Sequence, residues 1–130
     1  LSGVEPKYSI LFTGDAFGDV KDLDGSIKNK LKKVLTKKIA TNPQGYGLPL
    51  RSPLHLYRKH EFAAHRVIYR IYEEKHLVVV CAIGPRKEGD SADVYKQFQA
   101  LAQTGKVAQQ IAEVLGSLAP GKKKIESPKR

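Results

Sequence analysis

The run from Lys75 to Gly84, KHLVVVCAIG, constrains the fold more than any other stretch of the chain. Its apolar residues follow one another without the alternation of a half-exposed strand, as expected of a strand at the centre of a sheet. Two further strands precede it. HLYRKHE (55–61) is the first, and HRVIYRIYEE (65–74) is the second. In the latter, Val67, Tyr69 and Ile71 fall on one face, with Arg66, Ile68, Arg70 and Tyr72 on the other. FAA and EEK are the two short loops between them, so the three strands form an antiparallel meander.

The flanking segments supply an opening strand and helices. KYSILF (7–12) is short, β-branched and aromatic. Ala16, Val20 and Leu23 then recur at i, i+4 and i+7, with Thr13 or Asp15 available as a cap. A second, longer helix has the stripe Ile27, Leu31, Val34, Leu35 and Ile39, with Asp24 or Ser26 as its cap. Lys28, Lys30, Lys32, Lys33, Lys37 and Lys38 lie mostly opposite that stripe. TNPQGYGLPLRSPL (41–54) shows no hydrophobic period and reads as a connector. After the meander, Val94, Phe98 and Leu101 mark one helix, Gly105 interrupts, and Val107, Ile111, Val114, Leu115 and Leu118 mark another. That last stripe needs a covering surface, either its own core or another protein, including a second copy. Strands and helices are segregated rather than alternating. The expectation is therefore an α+β domain over 1–118: N-terminal strand, helical hairpin, three-stranded antiparallel meander, and one or two C-terminal helices over 91–118. Helices are expected on one face only, leaving the other bare. Residues 119–130, ending in GKKKIESPKR, are expected to be a basic, disordered tail.

Charge narrows the partners. A net charge of +10 points to an anionic partner, and the tail alone does not account for it. No apolar run approaches the roughly 18–20 residues that span a bilayer. No secretory signal opens the chain, so the expected location is the cytoplasm. Cys81 lies within the apolar strand and reads as a buried small hydrophobe. HEFAAHR (60–66) falls one residue away from a zinc-protease signature. His60 and His65 are five apart, and on a helix they would diverge by about 140°. No metal or cofactor is expected.

Several side chains could do chemistry together. Alternation puts Arg58 and His60 on one face of their strand, and Arg66 and Arg70 on one face of the next. Arg86 follows the third strand, and Tyr95 opens the following helix. Gathered around one bare sheet face, these groups would suit RNA cleavage by internal transfer. Guanidiniums grip the phosphate and stabilise the extra negative charge of the phosphorane. An imidazole accepts the 2′-hydroxyl proton, a second group protonates the leaving 5′-oxygen, and an aromatic ring stacks on a base. The same arginines also fit ordinary polar positions on strands, and Tyr57, Tyr69 and Tyr72 also fit core or edge packing. His55 and His76 flank strands and read as solvent-facing.

Three stretches resemble the RelE/ParE superfamily of bacterial toxin–antitoxin toxins. NPQGYGLPLRSPL is similar to the connector before the first meander strand, and YRKHEFAAHRVIYRIYEEKHLVVVCAIGPR to the superfamily's arginine-rich core. VY opens the terminal helix, as in many members. The resemblance covers residues 7 to about 100. It implies a small α+β fold, a cognate antitoxin, and one of two activities. RelE-like members cut mRNA on the ribosome without metal by 2′-hydroxyl attack, whereas ParE-like members inhibit DNA gyrase. By position it assigns phosphate stabilisation to Arg66, a second arginine to Arg86, and the terminal tyrosine to Tyr95. Arg58 and His60 fall where RelE-like enzymes carry basic residues, with His60 the proton-transfer candidate. Lys59, Arg70, Lys87, Lys33 and Lys37 are the expected RNA contacts. Two departures stand out. KEGDSAD places Tyr95 nine residues beyond Arg86, and the second terminal helix and tail exceed the usual length.

Overall fold

The computed structural model describes residues 7–118; the tail expected to be disordered lies outside them. Five strands form one sheet in the order β1-β5-β4-β3-β2. They are β1 (Ser9–Phe12), β2 (Leu48–Pro49), β3 (Tyr57–Phe62), β4 (His65–Tyr72) and β5 (Leu77–Pro85). The meander β3-β4-β5 is antiparallel, with Arg58 opposite Tyr69 and Arg70 opposite Val79. The opening strand β1 pairs parallel to β5, Ser9 with Leu77 through Phe12 with Val80. β5 thereby has a neighbour on each side, as its unbroken apolar run requires.

Helices α1 and α2 begin where a short polar side chain meets a free N–H. Helix α1 (Gly14–Lys21) is capped by the Thr13 hydroxyl, which accepts from the Ala16 N–H at 3.2 Å. Helix α2 (Gly25–Val34) is capped by Asp24, which accepts from the Ile27 N–H at 3.0 Å, and it runs into a π-helical turn at Leu35–Ile39. At the other end of the fold, α4 (Val94–Gln103) and α5 (Lys106–Gly116) are separated at Gly105, whose φ of +82° suits a residue without a Cβ.

Two expectations need correction. The connector 41–54 is partly ordered into a short helix α3 (Pro43–Tyr46) and the edge strand β2, which ends in Pro49. A proline is tolerated there because an edge strand has one unpaired side. Helices also cover both faces of the sheet, not one. Ala16, Leu31, Leu35 and Ile39 pack with Phe62, Val67, Tyr69, Val78 and Val80 on the first face. Val94, Phe98, Val107 and Ile111 pack with Ile68, Leu77, Val79, Cys81 and Ala82 on the second. Val107 and Ile111 of the α5 stripe are buried in this second core, Val114 and Leu115 pack partly against it, and Leu118 stays half exposed. The physical reason lies in β5: Val79 and Val80 point to opposite faces and both are fully buried. Each such side chain contributes about 1.5–3 kcal/mol only if water is excluded from its own side.

One irregularity positions the site. Ile68 pairs with Ala82 but Tyr69 pairs with Val80, so Cys81 is an extra residue in β5. Cys81 and Ala82 both lie in the second core, and every residue beyond them is shifted in phase. Burial pushes the Cys81 thiol up to about 12, as expected of an inert packing residue.

Candidate functional site

Alternation in the meander divides the basic residues between the two faces. On the second face lie Lys59 of β3 and Arg66 of β4, the latter in phase with Ile68. The bulge at Cys81 brings Gly84 opposite Arg66 and sends the residue two further on, Arg86, to that same face. The Arg86 N–H donates to the Ala64 carbonyl at 3.0 Å, which extends the ladder to the β3–β4 turn.

Tyr95, in the first turn of α4, is the centre of the cluster. The Arg86 guanidinium lies 4.9 Å from its ring centroid and the Lys59 ammonium 5.0 Å, distances at which a cation is attracted to the ring's face. Burial raises the Tyr95 phenol above its usual range, while the charges of Arg66 and Arg86 draw it partly back down. The phenol therefore stays protonated at neutral pH. Arg66 is one-fifth exposed, with Nη2 3.7 Å from Glu61, and Nη1 donates to the His65 carbonyl at 3.0 Å. Arg86 Nη1 donates to Asp93 Oδ1 at 2.7 Å. Three cations thus surround one half-buried aromatic ring at the mouth between the β3–β4 hairpin and the start of α4. Such an arrangement can hold a phosphate against a stacked base. A separate cavity of about 460 Å³ between α1 and α4 is lined by Asp15, Asp19 and Asp22, and its charge is wrong for a polyanion.

Arg58 and His60 do not join this cluster, which corrects the expectation of one shared face. They alternate onto the first face with Phe62, where both hold the connector. Arg58 Nη2 donates to the Gln44 carbonyl at 2.8 Å and to the Gly47 carbonyl at 2.5 Å. His60 Nδ1 lies 2.6 Å from the Tyr46 carbonyl. Arg70 does share the face of Arg66, but it sits four residues along β4, 5.7 Å from the Tyr57 ring and 5.0 Å from the Tyr72 ring. Lys87 is exposed beside Arg86. Lys33 and Lys37 are exposed on α2 and its π-helical continuation, the layer over the first face. His55 and His76 are exposed, and Tyr69 is fully buried with its hydroxyl donating to the Pro43 carbonyl at 2.7 Å. Asp93 was absent from the expected set. Its position immediately before the apolar period of α4, in DVYKQF, is the helix-start signal that points to it.

Residues 10–89 match the family described as ParE toxin of type II toxin-antitoxin system, parDE. The chain belongs to the ParE toxin family. A putative RelE-like toxin protein of Escherichia coli is 29% identical over 85 residues, spanning 65% of this toxin and 88% of the relative. The toxin–antitoxin complex RelBE2 of Mycobacterium tuberculosis contains a chain 27% identical to it. That superposition has a TM-score of 0.59 and covers 63% of this toxin and 93% of that chain. The isolated RelE toxin of Escherichia coli shares the fold at 19% identity, with a TM-score of 0.53, covering 75% of this toxin and 98% of that chain. The α+β fold is thus that of the RelE/ParE superfamily of toxins. The match to the family ends at residue 89, before Asp93 and Tyr95. Among the described residues no helix is long and apolar enough to cross a membrane.

Proposed function

We propose that this toxin acts as a metal-independent endoribonuclease on mRNA at the ribosome, held in check by a cognate antitoxin. Convergence of Lys59, Arg66 and Arg86 around Tyr95 is the observation that supports the reading. In this scheme the scissile phosphate lies between Arg66 and Arg86, where guanidinium donors match its oxygens in pairs. Extra negative charge on the phosphorane falls on groups already aimed at it, so little reorganisation is needed. Lys59 stabilises the developing 2′-oxyanion while solvent takes its proton. Tyr95, protonated at neutral pH, either donates to the leaving 5′-oxygen or stacks on the adjoining base. Arg58 and His60 have no step, because both face the connector on the other side of the sheet. Neighbours solved as toxin–antitoxin complexes support the antitoxin as partner.

A second reading is inhibition of DNA gyrase by binding alone. It is favoured by the match to a family described by its ParE members, and by the commitment of Arg86 to Asp93. One experiment separates the two. The Arg66→Ala/Arg86→Ala double variant is expected to lose growth arrest while its far-ultraviolet circular dichroism stays that of the parent. Primer extension on mRNA from arrested cells should show new 5′ ends. Arrest with intact transcripts and an induced DNA-damage response would overturn the nuclease reading in favour of gyrase.

A further inference from the structure

We infer that Asp93 is a positioning residue: its buried carboxylate orients Arg86 at the site while also capping α4. The inference rests on the nuclease reading for its activity readout, but its geometry stands independently. The Asp93 side chain is 4% exposed, and its two oxygens do different work. Oδ2 accepts from the Tyr95 N–H at 3.1 Å, the ordinary duty of a helix cap. Oδ1 faces the other way, accepting from the Lys87 N–H at 2.5 Å and from Arg86 Nη1 at 2.7 Å. Burial alone would raise this carboxyl, but the Arg86 and backbone hydrogen bonds prevail and hold it below its usual range.

A single carboxylate therefore joins three parts of the site: the chain just after β5, the first turn of α4, and the guanidinium that lies over Tyr95. Arg86 is 30% exposed, and among the described residues the charge partner of its other terminal nitrogen is Glu88, at 3.8 Å and with that side chain 88% exposed. One edge of the fork is thus fixed from behind while the other remains presentable to an anion. A guanidinium has five N–H donors in a rigid plane, so anchoring one nitrogen orients the others. The long loop KEGDSAD closes on itself to bring Asp93 back to Arg86. Ala92 N–H donates to Asp90 Oδ1 at 2.8 Å, and Asp93 N–H to the Asp90 carbonyl at 3.0 Å. Nine residues of separation in sequence thus end with Tyr95 beside Arg86.

Capping and orientation are separable, because asparagine caps a helix about as well as aspartate. In Asp93→Asn the remaining oxygen keeps the cap, but an NH2 now faces Arg86 and the Lys87 N–H, two donors that Oδ1 had served, so Tm is expected to fall by several degrees. Binding of an uncleavable 2′-deoxy-substituted single-stranded RNA, followed by fluorescence anisotropy, is unchanged or tighter because one negative charge has left the groove. Cleavage of ribosome-bound mRNA is expected to fall about 10- to 100-fold in kcat without a rise in KM, the signature of lost orientation. The Arg86 Nε–H resonance, discrete in the parent, should collapse toward the freely rotating arginines in the variant. Asp93→Ala, which loses the cap as well, should lower Tm further than Asp93→Asn. An Asn variant with an unchanged Arg86 resonance, or with an altered resonance and parental kcat, overturns the inference. If the parent cleaves no RNA, the nuclease reading fails, and the resonance still decides whether Asp93 holds Arg86.

Discussion

Replacing Arg58 by Ala, alongside Arg66 by Ala, distinguishes a residue that holds the fold from one that holds RNA. Arg58 donates to the Gln44 and Gly47 carbonyls, and hydrogen bonds to charged groups contribute about 1.5–3 kcal/mol each. The two bonds share one nitrogen, and the Gln44 carbonyl is exposed, so their joint loss should cost about 2–4 kcal/mol rather than the full sum. With each kcal/mol shifting Tm by roughly 4 °C for a domain near this size, Arg58→Ala should melt about 8–16 °C below the parent. Arg66 has weaker attachments. Its carboxylate partner among the described residues, Glu61, is 73% exposed and 3.7 Å away, a pair of the kind that contributes about 1 kcal/mol or less. Arg66→Ala should therefore melt within about 4 °C of the parent. Thermal melts by circular dichroism read the first quantity. Growth arrest on induction, scored well below both transitions, reads the second. The expected result is a crossed pair: Arg58→Ala unstable but toxic, Arg66→Ala stable but harmless. An Arg58→Ala protein that melts with the parent and fails to arrest growth would refute the reasoning, since Arg58 would then be serving the target and not the connector.

Two further outcomes follow from the packing. Gly47→Ala would place a Cβ against the Tyr69 hydroxyl and 2.9 Å from its Cζ, and that ring is fully buried; the urea midpoint should fall by the equivalent of about 1–3 kcal/mol, and an unchanged midpoint would refute the contact. Asp19, whose Oδ2 accepts from the Ile83 N–H at 3.0 Å, has its carboxyl raised, first by burial and then by Asp15 and Asp22, against the pull of that hydrogen bond. An acid raised on folding stabilises fully below its unfolded value of 3.8, and that contribution is lost as pH rises through the folded value. Asp19→Asn, which keeps an acceptor for Ile83, should therefore gain stability over the parent at pH 7 and converge with it near pH 3, as followed by denaturant titration at the two pH values.

The meander was legible from residues alone because its signals are local. Alternation in HRVIYRIY and the double-sided apolarity of LVVVCAI leave few other arrangements, and Thr13 and Asp24 mark helix starts through short-range hydrogen bonds. The long-range features were not legible. Nothing in SILF says that it pairs parallel to a strand nearly seventy residues away, and nothing in the alternation of β5 announces an extra residue at Cys81. The site shows the same division. Arg66, Arg86 and Tyr95 were identified together, yet their convergence depends on a bulge and a closed loop that residue spacing conceals. Arg58 and His60 are the instructive case. Composition placed two basic groups close to the arginines in sequence, but strand parity sends them through the sheet to its other side. A connector with no hydrophobic period reads as empty, and so its need for side chains to hold its carbonyls went unrecognised.

The placement of β1 beside β5 has a consequence for timing. Among the described residues β1 is made before the other strands, but the strand it pairs with, β5, is the last of the five, and the segment bearing Asp93 and Tyr95 comes later still. Long-range pairings of this kind form slowly and only once both ends exist. A nascent chain cut short before residue 77 has no complete sheet on which the three cations can meet. The cluster of Lys59, Arg66 and Arg86 around Tyr95 can therefore assemble only after the segment through Tyr95 has been made.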